Sequence, residues 1–173
     1  PRMRPTRRRS VRLPAYYRTG CRSTAPALRT GLRSMTGIAF VDSNVLIYAH
    51  DRSAGAKRDR AVAIFGQLWS ERTGCLSVQV LQEFFVTVTR KLRTPVARAQ
   101  AREVVRAYSP WVLNPTTPQT VLRATEVGEA AGIGFWDALI VASAEQAGAG
   151  ILYSEDLNDG QVIAGVRVVN PFK

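Results

Sequence analysis

The stretch Ile38-Ala39-Phe40-Val41-Asp42-Ser43-Asn44-Val45-Leu46-Ile47-Tyr48-Ala49-His50 (residues 38–50) holds the reading on which the rest of the chain turns. Residues 38–41 are a short apolar run of buried-strand type that stops at an acid. Ser43 and Asn44 follow, either of which suits a helix cap, and residues 45–49 return to apolar character as a short helix. A strand that ends on Asp and passes at once into a helix opens a βα unit. In open parallel sheets, ligands bind in the crevice outside the carboxyl ends of the strands. Asp42 therefore stands where a cation could be held. It also stands where Asp commonly serves as a plain turn or cap residue.

Working outward, the remainder alternates between the same two periods. Residues 57–71 set Ala61, Ile64, Phe65 and Leu68 at helical spacing, and residues 74–78 read as a second strand. Residues 79–92 form a helix with Leu81, Phe84, Phe85, Val88 and Leu92 on one arc, closed by Thr94-Pro95. Residues 95–108 and 118–131 are further helices, with a brief extended segment at 111–113 between them. Residues 135–147, Phe-Trp-Asp-Ala-Leu-Ile-Val-Ala-Ser-Ala-Glu-Gln-Ala, are apolar nearly all round, the mark of a buried helix. Residues 151–153 and 167–169 read as strands. Strands alternating with helices predict an α/β fold of three layers, α/β/α, with a central, mostly parallel sheet flanked by helices.

The chain of 173 residues suits one domain with a substantial core. Its formal charge of +11 is unevenly distributed. Residues 1–34 contain ten Arg, no Lys and no acid, and so carry +10. The other 139 residues hold 14 basic and 13 acidic side chains and are nearly neutral. The high isoelectric point belongs to that segment and says little about the domain. With Pro5, Pro14 and Pro26 and no sustained period, residues 1–34 are expected to form a basic, disordered extension. A phosphate-gripping arm and an organellar transit peptide are competing readings of it. The change of charge at Met35 marks residues 35–173 as the domain. No apolar stretch approaches the ~20 residues that cross a bilayer, so a soluble, cytoplasmic protein without a membrane partner is expected.

His50 is the only histidine, and Cys21 and Cys75 are the only cysteines. Serine–histidine triads, His-rich zinc sites and paired-histidine nucleases need more imidazole than this. No phosphate-binding Gly-Lys-Ser/Thr loop occurs, and Gly132-Ile133-Gly134 lacks both the preceding strand and the third glycine of a dinucleotide fingerprint. Any chemistry here falls to carboxylates. Besides Asp42, the candidates are Glu83, outside the apolar arc of its helix; Asp137, in the first turn of the most apolar helix; and Asp156, just past the strand 151–153. Each has a bland alternative: a solvated helix face for Glu83, a first-turn acid open to water for Asp137, a polar turn before Gly160 for Asp156. Asp137 is the sharpest anomaly, because an unpaired buried carboxylate costs several kcal/mol and a helix dipole returns only ~0.3–1 kcal/mol. Glu155 reads as solvated and Asp159 as a turn residue. Trp69, Trp111 and Trp136 read as core or interface residues, with no base-stacking platform among them.

Taken in order, Ala39-Phe40-Val41-Asp42-Ser43-Asn44-Val45-Leu46, Gln82-Glu83-Phe84, Phe135-Trp136-Asp137-Ala138-Leu139-Ile140 and Ser154-Glu155-Asp156-Leu157 resemble the PIN-domain nucleases, and in particular the toxin component of VapBC-type toxin–antitoxin pairs. The resemblance spans residues 36–173. It implies a metal-dependent endoribonuclease in which the four acids meet at the carboxyl edge of the sheet and hold Mg²⁺ or Mn²⁺. Asp42 and Asp137 would be the principal ligands, Asp156 a further ligand, and Glu83 a ligand or outer-sphere base. Asn44 and Ser154 would orient the carboxylates or their waters. It further implies an RNA substrate, a small antitoxin that blocks the acidic pocket, and a homodimer. Two other classes stand against it: a non-catalytic RNA- or protein-binding module of the same fold, and a phosphohydrolase with an aspartyl nucleophile. The latter wants a second Asp where this chain has Asn44.

Overall fold

The computed structural model describes residues 37–173. The extension 1–34, Cys21 and the proposed domain start at Met35 lie outside the described residues. Strand β1 (Ile38–Val41) runs into helix α1 (Ser43–His50). Then come α2 (Ala56–Glu71), β2 (Gly74–Cys75), α3 (Val78–Arg90), α4 (Arg98–Tyr108) and a 3-10 turn at Ser109–Trp111. The chain continues through α5 (Pro118–Ala131), α6 (Phe135–Gln146), β3 (Ala149–Tyr153), β4 (Val162–Ile163) and β5 (Val166–Val169). The strands form one sheet in the order β2-β1-β3-β5-β4. Only the β4–β5 pair is antiparallel. A mostly parallel sheet with helices packed around it is the α/β arrangement that the alternation of periods predicts.

β1 and β3 lie side by side at the centre, with Phe40 opposite Leu152 and Val41 opposite Tyr153. Phe40, Val41 and Leu152 are essentially inaccessible, as strands covered by helices must be. The parallel pairing ends both strands on one edge, where the amide of Asp42 donates to the Tyr153 carbonyl at 3.0 Å. Asp42 and Ser154 thus leave the sheet side by side.

Three expectations need correction. Helix α1 begins at Ser43, and its cap is Asp42, not Ser43 or Asn44; the Asp42 side chain accepts from the Ser43 amide. The second strand is two residues long rather than five, because Ser77 caps α3 and draws Val78 into the helix. Leu76 still makes a single parallel bridge to Val112, which is all that remains of the extended segment at 111–113. Finally, of the core and interface alternatives expected for Trp136, the core one fails: its exposure is 65%, while α6 is buried from Ala138 to Ala144. Trp69 and Trp111 do pack as expected, stacked at 4.9 Å within a cluster that includes Phe65 and Tyr108. No single helix among the described residues is long and apolar enough to cross a membrane.

Candidate active site

Asp42 is 6% exposed and has three donors around its carboxylate. The Ser43 amide reaches Oδ1 at 2.6 Å; the Ser154 hydroxyl and the Asn44 amide nitrogen reach Oδ2 at 2.7 and 3.1 Å. Asn44 Nδ2 also donates to Asp156 Oδ2 at 3.0 Å, so one side-chain amide joins the acid after β1 to the acid after β3. Ser154 reinforces the link, because its Oγ also accepts the backbone N–H of Asp156 at 3.2 Å. Asp156 is itself exposed.

Glu83 enters from α3. The Gln79 amide nitrogen, one turn earlier, donates to Glu83 Oε1 at 2.8 Å and to the Trp136 carbonyl at 3.2 Å. This side chain connects α3 to the first turn of α6, where Asp137 stands. Sequence reading missed Gln79; its i,i+4 spacing to Glu83 was the available signal.

The charges act on one another. Burial raises the Asp42 pKa to about 6, with further increments from the negative charges of Asp156 and Glu83, against the lowering effect of the Ser154 and Ser43 hydrogen bonds. Asp137 is also raised, first by burial and then by Asp156 and Glu83. Asp42 and Asp137 are 95 positions apart, yet both feel the same two carboxylates. All four predicted acids therefore occupy one electrostatic neighbourhood, and Asn44 and Ser154 lie within it. The water-exposed account of Asp137 holds only in part, since the residue is partly buried.

Among the described residues, no three acidic, histidine or cysteine side chains are gathered closely enough to form a ready metal cage. Asn44 Nδ2 bridges Asp42 and Asp156, putting a polarised N–H group between the two carboxylates. The chemistry of the donor set nevertheless suits a hard divalent cation, which takes carboxylate and amide oxygens. Two buried amide oxygens here, Asn44 Oδ1 and Gln79 Oε1, have no hydrogen-bond partner. Buried polar atoms are seldom left unsatisfied. A cation or the waters it carries would satisfy such an oxygen, so the donor types fit a hard divalent ion.

Glu155 departs from its solvated reading. It accepts a short hydrogen bond from the Tyr48 hydroxyl and an ion pair from Lys57 at 2.5 Å. Lys57 also sits over the Tyr48 ring at 4.7 Å. These contacts tie the loop that carries Asp156 to α1 and α2. Asp159 behaves as a turn residue, accepting from the Asn170 amide at 2.8 Å. His50 is packed against Phe84 and Tyr108, and burial lowers its pKa to about 4. It is half-buried among aromatic side chains.

This topology, with Asp42 and Asp156 following two neighbouring parallel strands, defines a domain of the three-layer α/β/α class. The chain belongs to the PIN domain family, which matches residues 39–159. Its fold is similar to that of a chain in the FitAB complex bound to an IR36 DNA fragment, at a TM-score of 0.60 and 19% identity over 79% of this chain and 96% of that one. It is also similar to a chain of VapBC2 from Rickettsia felis bound to a promoter DNA fragment, at 0.54 and 18% over 76% and 96%. No curated protein matches the chain.

Proposed function

We propose that the protein is a divalent-metal-dependent endoribonuclease that serves as the toxin of a toxin–antitoxin pair. One observation carries the reading: Asn44 and Ser154 tie Asp42 to Asp156, and Gln79 ties Glu83 to the first turn of α6, which carries Asp137. Like charges brought together in a partly buried pocket are costly. A bound cation turns that cost into affinity.

Asp42, Asp137 and Asp156 would hold Mg²⁺ or Mn²⁺, with Glu83 as a further ligand or outer-sphere base. When bound, the ion supplies an acidified water and neutralises charge growing at phosphorus. The chain's own side chains do the remaining work. Ser43, Ser154 and Asn44 fix the Asp42 carboxylate, and Asn44 sets the spacing between Asp42 and Asp156. Gln79 engages Oε1 of Glu83 and leaves Oε2 to accept the proton of the attacking water. The water oxygen bonds to phosphorus as the bond to the 3′ oxygen breaks, leaving a 5′-phosphate and a 3′-hydroxyl. No imidazole takes part, in keeping with the packed position of His50.

The toxin role, a small antitoxin partner, a homodimer and a cytoplasmic setting rest on the sequence motifs. The structural likeness to chains of FitAB and VapBC2 supports the toxin role and the antitoxin partner. In the same reading, residues 35–173 are the nuclease domain and 1–34 a basic extension. The test is cleavage of a tRNA and rRNA panel with Mg²⁺ or Mn²⁺, comparing the wild type with Asp137→Ala. We expect cutting that EDTA abolishes and that falls at least ~10²-fold in the variant. Retention of RNA without metal-dependent cutting would instead identify a binding module of the same fold.

A further inference from the structure

An acidic hydrolytic pocket has a difficulty with its own substrate. RNA is a polyanion, and the charges acting on Asp42 and Asp137 are themselves negative. The strand beside the scissile phosphate therefore needs an attachment that does not depend on attracting phosphate at that point. Base stacking on an aromatic face meets this requirement and tolerates any sequence.

Trp136 offers such a face. Its exposure is 65%, and Phe135, exposed by 39%, supports it edge-to-face at 5.3 Å. A large indole displayed to solvent immediately before Asp137 contributes little to the core. Its backbone is held in place: the Trp136 carbonyl accepts from Gln79 Nε2, the same nitrogen that holds Glu83. On the other side of Gln79 along α3, a cleft of about 410 Å³ runs from Ser43 and Glu83 past Ile47 and Val86 to Lys91. Gln79 and Lys91 are ~18 Å apart at the helical rise of 1.5 Å per residue. Trp136 is thus tied to the first turn of the helix that carries Glu83, and Lys91 follows the last turn of that helix.

We propose that the Trp136 indole, on a backbone tied through Gln79 to Glu83, is the platform on which an unpaired base of the substrate stacks next to the scissile phosphate. Lys91 holds a phosphate further along the same single strand. The ligand class is single-stranded RNA, so a paired helix, whose bases are already stacked, is disfavoured. This assignment rests on the nuclease reading, and the test separates the two.

The test uses the full chain with a short, unstructured single-stranded RNA, bound in calcium, and the same RNA made abasic at each position in turn. In the wild type, indole fluorescence should be quenched on binding, and Trp136→Phe should lose that signal while holding affinity within about three-fold. Removing one particular base should weaken wild-type binding about ten-fold. Trp136→Ala should show the same loss on the intact RNA and no further loss on that abasic RNA. If no position couples to Trp136, the platform is refuted. Unchanged RNA affinity in Trp136→Ala, together with a lost dimer or a lost antitoxin complex, would make the indole a protein contact and overturn the proposal equally. Cleavage of the intact RNA by the wild type in Mn²⁺ is scored separately, so failure of the nuclease reading appears there.

Discussion

Asp42 is the residue on which sequence, fold and chemistry meet. Its carboxyl titrates near 6 in the folded chain against an ordinary value of 3.8, so the folded state holds its proton more tightly than the unfolded one. The resulting cost to stability is full above pH 6 and is relieved as pH falls through 6 towards 3.8. The shift corresponds to ~3 kcal/mol at neutral pH. Asp42→Asn removes that cost and gives up about 1 kcal/mol of hydrogen bonding where the new amide meets the donors Ser154 and Asn44. We expect the metal-free variant to be more stable at pH 7.5 by about 2 kcal/mol in urea denaturation; a clear loss would show that the buried charge is not what strains the site. His50 acts in the opposite sense. Its pKa is lowered to about 4, so the stability of its neutral form is complete above 6.5 and is lost as pH falls towards 4. In the wild type the two effects oppose each other between pH 6 and 4. In Asp42→Asn only the histidine effect remains, and acid should destabilise that variant more steeply.

At the scale of elements, the sequence was most legible where an apolar period ran long and least where a few residues had to choose between partners. α2, α3, α5 and α6 lie close to where their spacing places them. β2 does not: Ser77 serves the amide of Val80 as the α3 cap, and the strand shrinks to Gly74–Cys75. Gly74 itself is explained only by tertiary packing. A Cβ there would lie 2.2 Å from the Trp111 ring, a contact no local signal announces. Gly74→Ala should therefore cost about 1–3 kcal/mol by overpacking, read as a lower urea midpoint with an unchanged slope. Asp42 and Asp137 were visible because each broke a pattern, a strand ending on Asp and an acid in an apolar helix; Glu83 and Asp156 stood out through the order of the motifs that hold them. Gln79, Tyr48 and Lys57 were not, because their roles depend on partners in other elements. Lys57 and Glu155 also make a separate prediction. The pair is partly solvent-exposed, so Lys57→Ala should change stability by less than ~1 kcal/mol. It should nevertheless weaken Mn²⁺ binding several-fold by loosening the loop that carries Asp156, which calorimetry can measure. Unaltered affinity would restrict the Tyr48–Lys57–Glu155 contact to packing.

Over the whole molecule, a nearly neutral set of residues concentrates its unusual features at one edge of the sheet. The central parallel strands deliver Asp42 and Ser154 side by side, and Gln79 joins Glu83 on α3 to the Trp136 carbonyl in the first turn of α6, beside Asp137. The membership of residues 39–159 in the PIN domain family agrees with that arrangement. The most direct test of the account is calorimetric titration of Mn²⁺ into the wild type and into Asp42→Asn, Glu83→Gln, Asp137→Asn and Asp156→Asn. The account predicts saturable binding in the wild type that each aspartate substitution weakens at least about ten-fold, a second-sphere loss or greater for Glu83→Gln, and proton release on binding below pH 7. Affinity that is absent from the wild type, or indifferent to these substitutions, would contradict it.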